Sequence, residues 1–243
     1  MKVLAGTTGR RRIYLMRHGF VDYTSPEVIR SQDPSLATLT ERGEQEARDA
    51  GLALSEVAFD LAVCSGLKRT VQTAEIVLAE RIETIALNVM PEFEELRSGK
   101  YINFESPQQL AAVMTFQFEQ AGEPGATFLE GGEKFSDAMI RINNGLQKLL
   151  GRPDWASCLL VAHEVVNRLI FASVLGAPLG ASAGFEQDTG CINILDFDLV
   201  PEADGSGVRI ERAIIKAVNL TPANFLKNGM NLRSLEAIFT TPG

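Results

Sequence analysis

Two histidines are the first candidates for chemistry, because the chain of 243 residues contains only these two. His18 closely follows the apolar run RIYLM, and His163 directly follows the run CLLVA. Either histidine alone would be more typical of a structural side chain, but both occupy the same kind of position after a short apolar run. Imidazole can act as a nucleophile or carry a proton near neutral pH. The sequence therefore predicts that any imidazole chemistry depends on one or both of these residues.

Two arginines accompany the histidines. Arg17 adjoins His18, and Arg69 lies in the first turn of a predicted helix that follows the run DLAVC. A guanidinium group can bind phosphate oxygens through two parallel hydrogen bonds. Helix N-termini add free N–H groups and the positive end of a dipole. Ligands of open α/β sheets bind at the carboxyl ends of the strands. We therefore expect these groups to meet in one anion-binding pocket, for which phosphate is the natural ligand.

The elements that must position these residues alternate between strands and helices. Predicted strands span residues 12–16, 59–65, 84–90, 156–162, 190–200 and 206–218. Predicted helices span residues 39–57, 65–82, 106–122, 131–151 and 164–176, with Thr40 and Ser65 as the expected N-caps of the first two. This alternation predicts an α/β fold, with a mainly parallel doubly wound sheet and helices on both faces. We expect the last two strands to be outer strands of the same sheet.

Length and composition fit a single domain over residues 1–243, since 45% of the residues are hydrophobic and can fill one core. The alternation breaks at about 92–131, a stretch rich in Gly, Pro and polar residues. We expect this segment to be an insertion that forms a lid over one edge of the sheet.

Composition also excludes several classes of protein. The formal net charge of −8 argues against non-specific nucleic-acid binding and against a basic membrane-surface patch. No apolar run is long enough for a transmembrane helix, and the apolar stretch at the N-terminus is too short for a signal peptide. Cys64, Cys158 and Cys191 lie in apolar stretches typical of buried, reduced thiols. These features predict a cytoplasmic protein, and the His and Cys spacing indicates no metal site.

Five segments together resemble the histidine phosphatase superfamily, in its phosphoglycerate-mutase-like branch (branch 1). They are LMRHG at 15–19, LTERGEQEARDAG at 39–51, CSGLKRTVQTAE at 64–75, GGEKFSDAMIRI at 131–142 and LLVAHEVVNRLIFASVLGAP at 159–178. The resemblance covers most of the chain in the family's order. It implies that His18 is the nucleophile that takes up the phosphoryl group. It also implies that Arg17, Arg69 and His163 hold and neutralise the phosphoryl oxygens.

The resemblance further implies a carboxylate that acts as general acid and then as general base. In the family this residue lies in a motif of the form E-[LI]-x-x-G, which selects Glu95 here, with Glu94 and Glu92 as close competitors. Thr24 stands where the family has a phosphate-binding Asn and could donate one hydrogen bond to phosphate. No metal or other cofactor is implied, because the arginines and His163 could supply the positive charge.

The chain departs from the family's pattern at two positions. Phe20 follows RHG where an acidic residue is usual, and Glu164 follows the second histidine where Gly is common. A carboxylate at position 164 could repel the substrate unless it points away from the pocket. The tryptophan–asparagine pair of true mutases is also absent after RHG.

We therefore expect phosphomonoester hydrolysis through a phosphohistidine on His18, with a small-molecule phosphate ester as substrate. The alternatives are a phosphoglycerate-type mutase and a catalytically weak phospho-ligand binding protein on the same fold. Residues of the predicted lid either cover the core or favour esters with a hydrophobic body: Tyr101, Phe104, Met114, Phe116 and Phe118. Arg97 and Lys100 could instead contact a second anionic group. The sequence does not predict the physiological substrate or the oligomeric state.

Overall fold

Six strands form one sheet in the computed structural model, which describes residues 9–23, 25–31, 33–97, 99, 113–114, 116–203 and 207–222. The strands are β1 Gly9–Arg17, β2 Leu61–Cys64, β3 Leu87–Val89, β4 Ser157–Ala162, β5 Ile192–Pro201 and β6 Val208–Leu220. Their order is β3-β2-β4-β1-β5-β6. The first four strands in this order run parallel, whereas β5 is antiparallel to both β1 and β6. The sheet is therefore mixed and mainly parallel, which confirms the predicted fold class.

The α-helices that lie wholly within the described residues are α1 Pro26–Ser31, α2 Glu41–Ala53, α3 Lys68–Ala79, α4 Phe135–Leu150 and α5 Glu164–Val174. Three 3-10 helices span Pro34–Leu36, Pro91–Phe93 and Leu179–Gly184. All of α2 to α5 fall within predicted helical segments. The sequence did not predict α1 or the 3-10 helices, because six residues or fewer do not establish a helical period. Thr40 caps α2 as predicted, since its hydroxyl oxygen accepts a hydrogen bond from Gly43 N at 3.2 Å.

Helices cover both faces of the sheet. Alternate residues of β1 point to opposite faces, as the period of a strand requires. Tyr14 and Met16 pack in the cluster that contains the buried residues of α2 and α3. Ile13 and Leu15 pack in the larger cluster that contains the buried residues of α4 and α5. Each large apolar side chain that is fully buried in this way stabilises the fold by about 1.5–3 kcal/mol, so the two clusters fix the central strands firmly.

Part of the predicted lid belongs to the core. Phe118 is 2% exposed and packs against Phe128 and Phe135. Met114 is partly buried against the same cluster, whereas Phe116 is exposed. Lys100, Tyr101 and Phe104 lie outside the described residues. For Phe118, the structure therefore favours the interpretation that the side chain covers the core.

Within the described part of the chain, none of the helices combines the length and the apolar character that a membrane crossing requires.

Candidate active site

Both histidines lie at the carboxyl ends of the two central parallel strands. Arg17 at the end of β1 is in register with Ala162 at the end of β4. His18 and His163 follow these two residues, and His18 N continues the ladder by donating to Ala162 O at 3.1 Å. The two imidazole ring centroids are 5.2 Å apart, close to the spacing of neighbouring strands. The sheet therefore brings together two residues that are distant in sequence.

One nitrogen of the His18 ring is hydrogen-bonded to the backbone, and the other is hydrogen-bonded to Arg69. Nδ1 donates to the carbonyl oxygen of Gly19 at 2.8 Å, which places the lone pair of the neutral ring on Nε2. Nε2 accepts a hydrogen bond from Arg69 Nε at 3.2 Å. Burial, followed by the charges of Arg69 and Arg17, lowers the pKa of His18 well below its ordinary value of 6.5. The imidazole is consequently neutral at neutral pH, with its Nε2 lone pair facing a cation.

The loop that carries His18 is held tightly between α2 and α3. Gly19 N donates to Thr73 Oγ1 at 3.1 Å, and Phe20 N donates to Glu46 Oε2 at 2.8 Å. Gly19 and Gly43 lie so close that a Cβ on Gly19 would be 2.3 Å from Gly43 O. A Cβ on Gly43 would be 2.1 Å from the carbonyl oxygen of Phe20. Both contacts are with backbone atoms, so the fit of α2 against the loop requires glycine at both positions.

His163 is connected to a short chain of hydroxyl groups. Its Nε2 lies 2.8 Å from Ser65 Oγ, which in turn lies 2.9 Å from Thr70 Oγ1. Thr70 donates its hydroxyl proton to the carbonyl oxygen of Leu67 at 2.8 Å, so it accepts a hydrogen bond from Ser65. The Ser65 oxygen consequently accepts a hydrogen bond from the N–H at Nε2 of His163. Within the described part of the chain, Nδ1 of this buried ring has no hydrogen-bond partner. Nδ1 of the neutral ring therefore presents a lone pair, and it can donate to an anionic ligand once it takes up a proton.

Ser65 is not the N-cap of α3, and this prediction was wrong. The helix begins at Lys68, and Leu67 occupies the N-cap position without a side-chain cap. The Ser65 hydroxyl is used on His163 and Thr70 instead. Burial, followed by the charge of Arg69, lowers the pKa of His163 well below 6.5, so this ring is also neutral. The only sequence signal for Ser65 was a polar residue directly after a buried strand, which a capping role explains equally well.

Arg17 is buried in a network that includes Glu164. Arg17 Nη1 donates to the carbonyl oxygen of Gln187 and lies 2.8 Å from Glu164 Oε2. Glu164 Oε1 pairs with Arg168 Nη2, also at 2.8 Å. Arg168 itself lies with its guanidinium 4.5 Å from the ring centroid of Phe118. The carboxylate of Glu164 thus bridges two arginines, and its charge is largely balanced within this network.

Arg69 approaches His18 from the first turn of α3. Its Nη1 donates to the carbonyl oxygen of Pro34 at 3.2 Å, which fixes the guanidinium through a second nitrogen. The ring of Tyr23 lies alongside, with its centroid 5.9 Å from the guanidinium carbon. Thr24, the residue that follows, lies outside the described residues, so its predicted contact with phosphate stays a prediction.

Glu95 lies against the start of α5. Its Oε2 accepts a hydrogen bond from Val165 N at 3.3 Å, two residues after His163, and its Oε1 accepts from Leu96 N at 3.0 Å. Burial raises the pKa of Glu95 above its ordinary value of 4.5. The competing Glu92 is paired with Lys148 at 2.8 Å. Glu95 is therefore the carboxyl group of this segment that the structure places beside the histidines.

The arrangement can bind a phosphate ester and carry out proton transfer. Arg69 donates to the Nε2 of His18, the His163 ring lies with its centroid 5.2 Å from that of His18, and the charge of Arg17 acts on His18. The Glu95 carboxyl group, with its raised pKa, binds the start of α5 directly after His163. Sequence reasoning found these five side chains but missed the hydroxyls of Ser65 and Thr70. It also missed the backbone oxygen of Gln187, which no sequence pattern can reveal because every residue has one.

A family model matches most of the chain. The model of the histidine phosphatase superfamily (branch 1) matches residues 13–200, which include every site residue described above.

Curated relatives carry both phosphatase and mutase names. An adenosylcobalamin/alpha-ribazole phosphatase of Escherichia coli K12 is 26% identical over 187 residues, covering 77% of this chain and 90% of the relative. A probable phosphoglycerate mutase GpmB of Erwinia tasmaniensis is 26% identical over 170 residues, covering 70% of this chain and 77% of the relative.

A solved structure shares the fold. The crystal structure of a putative alpha-ribazole-5'-P phosphatase of Escherichia coli K-12 gives a TM-score of 0.64 at 23% identity, covering 86% of this chain and 96% of that chain.

Proposed function

Because this chain belongs to the histidine phosphatase superfamily (branch 1), we propose that it hydrolyses phosphate monoesters through a phosphohistidine on His18. The observation that carries the proposal is the state of the His18 ring. Its Nδ1 proton is committed to Gly19 O, and its Nε2 lone pair lies among cationic and proton-donating groups. A neutral imidazole with a fixed tautomer is a competent nucleophile near neutral pH.

The first chemical step transfers the phosphoryl group to the protein. The Nε2 lone pair of His18 forms a bond to phosphorus while the bond from phosphorus to the ester oxygen breaks. Protonated Glu95 gives its proton to the leaving oxygen, so an alcohol departs. Arg17 and Arg69 stabilise the charge on the three remaining oxygens, and His163 joins them when its Nδ1 takes up the proton of a monoanionic ester. Arg69 exchanges its hydrogen bond with Nε2 for one with a phosphoryl oxygen.

The second step releases phosphate and restores the protein. Glu95, now a carboxylate, takes a proton from a water molecule as the water oxygen attacks phosphorus. The bond from phosphorus to Nε2 breaks, and its electron pair returns to the ring. Side chains supply all of the positive charge in both steps, so we propose that turnover requires no metal ion.

The test is release of inorganic phosphate from p-nitrophenyl phosphate in the presence of EDTA. We expect turnover by the wild type, and loss of about 10³-fold or more in His18→Ala. Brief mixing with radiolabelled phosphate ester followed by alkaline quenching should trap acid-labile phosphate on the wild type only. Undiminished turnover in His18→Ala would overturn the proposal, and loss of turnover in EDTA that Mg²⁺ or Zn²⁺ restores would overturn metal independence.

A mutase is the second candidate, because one similar relative is named a probable phosphoglycerate mutase. A mutase returns the phosphoryl group to another hydroxyl of the same molecule. Conversion of 3-phosphoglycerate to 2-phosphoglycerate without release of phosphate would favour it over hydrolysis. If the protein binds p-nitrophenyl phosphate tightly and neither reaction occurs, a binding role on the same fold is the remaining interpretation.

A further inference from the structure

Glu95 belongs to a short segment, Pro91 to Arg97, which we name the acid loop. It begins with the 3-10 helix Pro91–Phe93 and has extended backbone at Glu94. Phe93 is fully buried and Leu96 nearly so, which anchors the loop to the core on either side of Glu95. Two apolar anchors hold the loop down but leave its backbone carbonyl and N–H groups to be fixed by other partners.

Arg141 of α4 binds the acid loop on the N-terminal side of Glu95. Its Nη1 donates to the carbonyl oxygens of Glu92 and Glu94, each at 2.9 Å. Its Nε and Nη2 donate to the two carboxylate oxygens of Glu133, also at 2.9 Å each. One guanidinium thus makes four hydrogen bonds, a planar fork that the single ammonium group of lysine cannot reproduce.

Glu133 binds the acid loop on the C-terminal side of Glu95. Its Oε2 accepts from Arg97 N at 3.2 Å, and its own N–H donates to Arg97 O at 2.8 Å. The backbones approach closely here, since a Cβ on Gly132 would lie 2.7 Å from Arg97 O. Burial pushes the pKa of Glu133 upward, but the hydrogen bonds and charge of Arg141 bring it below its ordinary value of 4.5. Glu133 therefore stays ionised and keeps both partners at neutral pH.

The ion pair of Arg141 and Glu133 consequently holds backbone atoms on both sides of Glu95. Within the described part of the chain, neither Arg141 nor Glu133 shares a hydrogen bond or ion pair with His18, His163, Arg17 or Arg69, and the charge of Arg141 is the smallest of the causes that lower the pKa of His163. We propose that Arg141 and Glu133 are positioning residues that aim the Glu95 carboxyl at the leaving oxygen, an inference that rests on the proposed function. A displacement of about 1 Å of a catalytic group can cost on the order of 10²-fold in rate.

Dependence on the leaving group distinguishes this role from a general structural one. An alkoxide needs the proton of the acid, which is typically worth about 10²–10⁴-fold, whereas p-nitrophenolate leaves with little help. Arg141→Lys should lower kcat for glycerol 2-phosphate by about tenfold or more and for p-nitrophenyl phosphate by about twofold or less. Glu95→Gln should show the same pattern with a larger loss on the alkyl ester.

A double-mutant cycle tests whether Arg141 acts through Glu95. If it does, adding Arg141→Lys to Glu95→Gln should cost little further activity on the alkyl ester. Glu133→Gln, in which the new side chain has the same shape as the old one, is a second variant in case Arg141→Lys does not fold. Arg81→Lys is the matched control, because Arg81 also donates to a backbone carbonyl, Leu54 O at 2.9 Å, and stacks over Phe59 away from the acid loop. The control should leave the ratio of the two rates unchanged.

Two results would overturn the inference while leaving the proposed function intact. In the first, Arg141→Lys and Glu133→Gln lower both rates equally although Glu95→Gln discriminates between the substrates. In the second, the loss from Arg141→Lys adds in full to that from Glu95→Gln. If Glu95→Gln itself shows no dependence on the leaving group, Glu95 is not the acid, and the proposed function fails at that step together with the positioning role.

Discussion

Burial acts in opposite directions on the titratable side chains at the centre of the site. It lowers the pKa values of His18 and His163, because their protonated forms are cations, and it raises the pKa of Glu95, because its ionised form is an anion. The proposed nucleophile, His18, is thereby kept unprotonated, and the proposed acid, Glu95, is helped to stay protonated. A single low-dielectric pocket thus prepares both partners of the proposed first step.

The pH dependence of kcat/KM should reflect both groups. With glycerol 2-phosphate and increasing pH, kcat/KM should first rise as His18 loses its proton, at a pKa below 6.5. It should then fall as Glu95 loses its proton, at a pKa above 4.5. We therefore expect an optimum on the acidic side of neutrality. Profiles of the wild type and Glu95→Gln, measured from about pH 4 to about pH 8, check this expectation.

Titration of the substrate could also make kcat/KM fall at high pH, because a phosphate monoester loses its second proton at about pH 6. The fall should weaken in Glu95→Gln if Glu95 causes it. An unchanged fall in that variant would assign it to the substrate and not to Glu95.

At the scale of elements, the packing of α2 against the His18 loop decides how precisely the proposed nucleophile is placed. Gly43→Ala should push α2 away from the carbonyl oxygen of Phe20, which lies 2.1 Å from the added Cβ. We expect a destabilisation of about 1–3 kcal/mol and a marked loss of turnover. Gly51→Ala, on the same helix, is the control, because its closest neighbour is the flexible side chain of Glu80 at 2.7 Å.

Thermal unfolding and kcat of the two variants give the comparison. Alanine favours helix over glycine by about 1 kcal/mol at either position, so any difference between the variants comes from their contacts. Equal stability and equal turnover in the two would contradict the importance assigned to the Gly43 contact.

The elements could be predicted from sequence because their signals are local. Apolar runs and helical periods marked β1, β4 and the four long helices, and the histidines followed from their positions after two of these runs. The antiparallel direction of β5, the hydroxyl chain onto His163 and the ion pair of Arg17 with Glu164 could not be predicted. Each joins residues that are far apart in sequence, and their pairing depends on how the chain crosses the sheet.

At the scale of the whole molecule, an acidic protein encloses a cationic site. The formal net charge is −8, yet Arg17, Arg69 and the two histidines meet at one edge of the sheet. The fold keeps both imidazoles neutral, whereas the unfolded chain would protonate them at their ordinary pKa of 6.5. Below that pH the unfolded state therefore binds more protons than the folded state, and the free energy of unfolding decreases.

We expect the unfolding temperature to fall as the pH decreases from 6.5 toward the lowered folded pKa values of the histidines. The slope approaches about 1.4 kcal/mol per pH unit for each histidine. The double variant His18→Gln/His163→Gln should lose this slope, which thermal unfolding across the window measures. Asp198, with its pKa lowered from 3.8 through hydrogen bonding to Arg10, contributes only at lower pH.

Glu95 changes the free energy of unfolding in the opposite direction with pH. Its pKa is raised in the folded state, so its contribution to stability is present at low pH and is lost as the pH rises. It is present in the wild type and in the double variant, so its contribution cancels in the comparison. An identical slope in the two proteins would show that the histidines are not the source.

The pairing of β1 with β4 also bears on how the protein is made. A ribosome synthesises β1 and His18, the proposed nucleophile, long before β4 and His163, although the two strands are hydrogen-bonded neighbours in the finished sheet. A nascent chain that has exposed His18 but not β4 lacks both the strand that aligns the histidine and the second imidazole. We therefore expect the growing polypeptide to lack the proposed activity until β4 has emerged and inserted between β2 and β1.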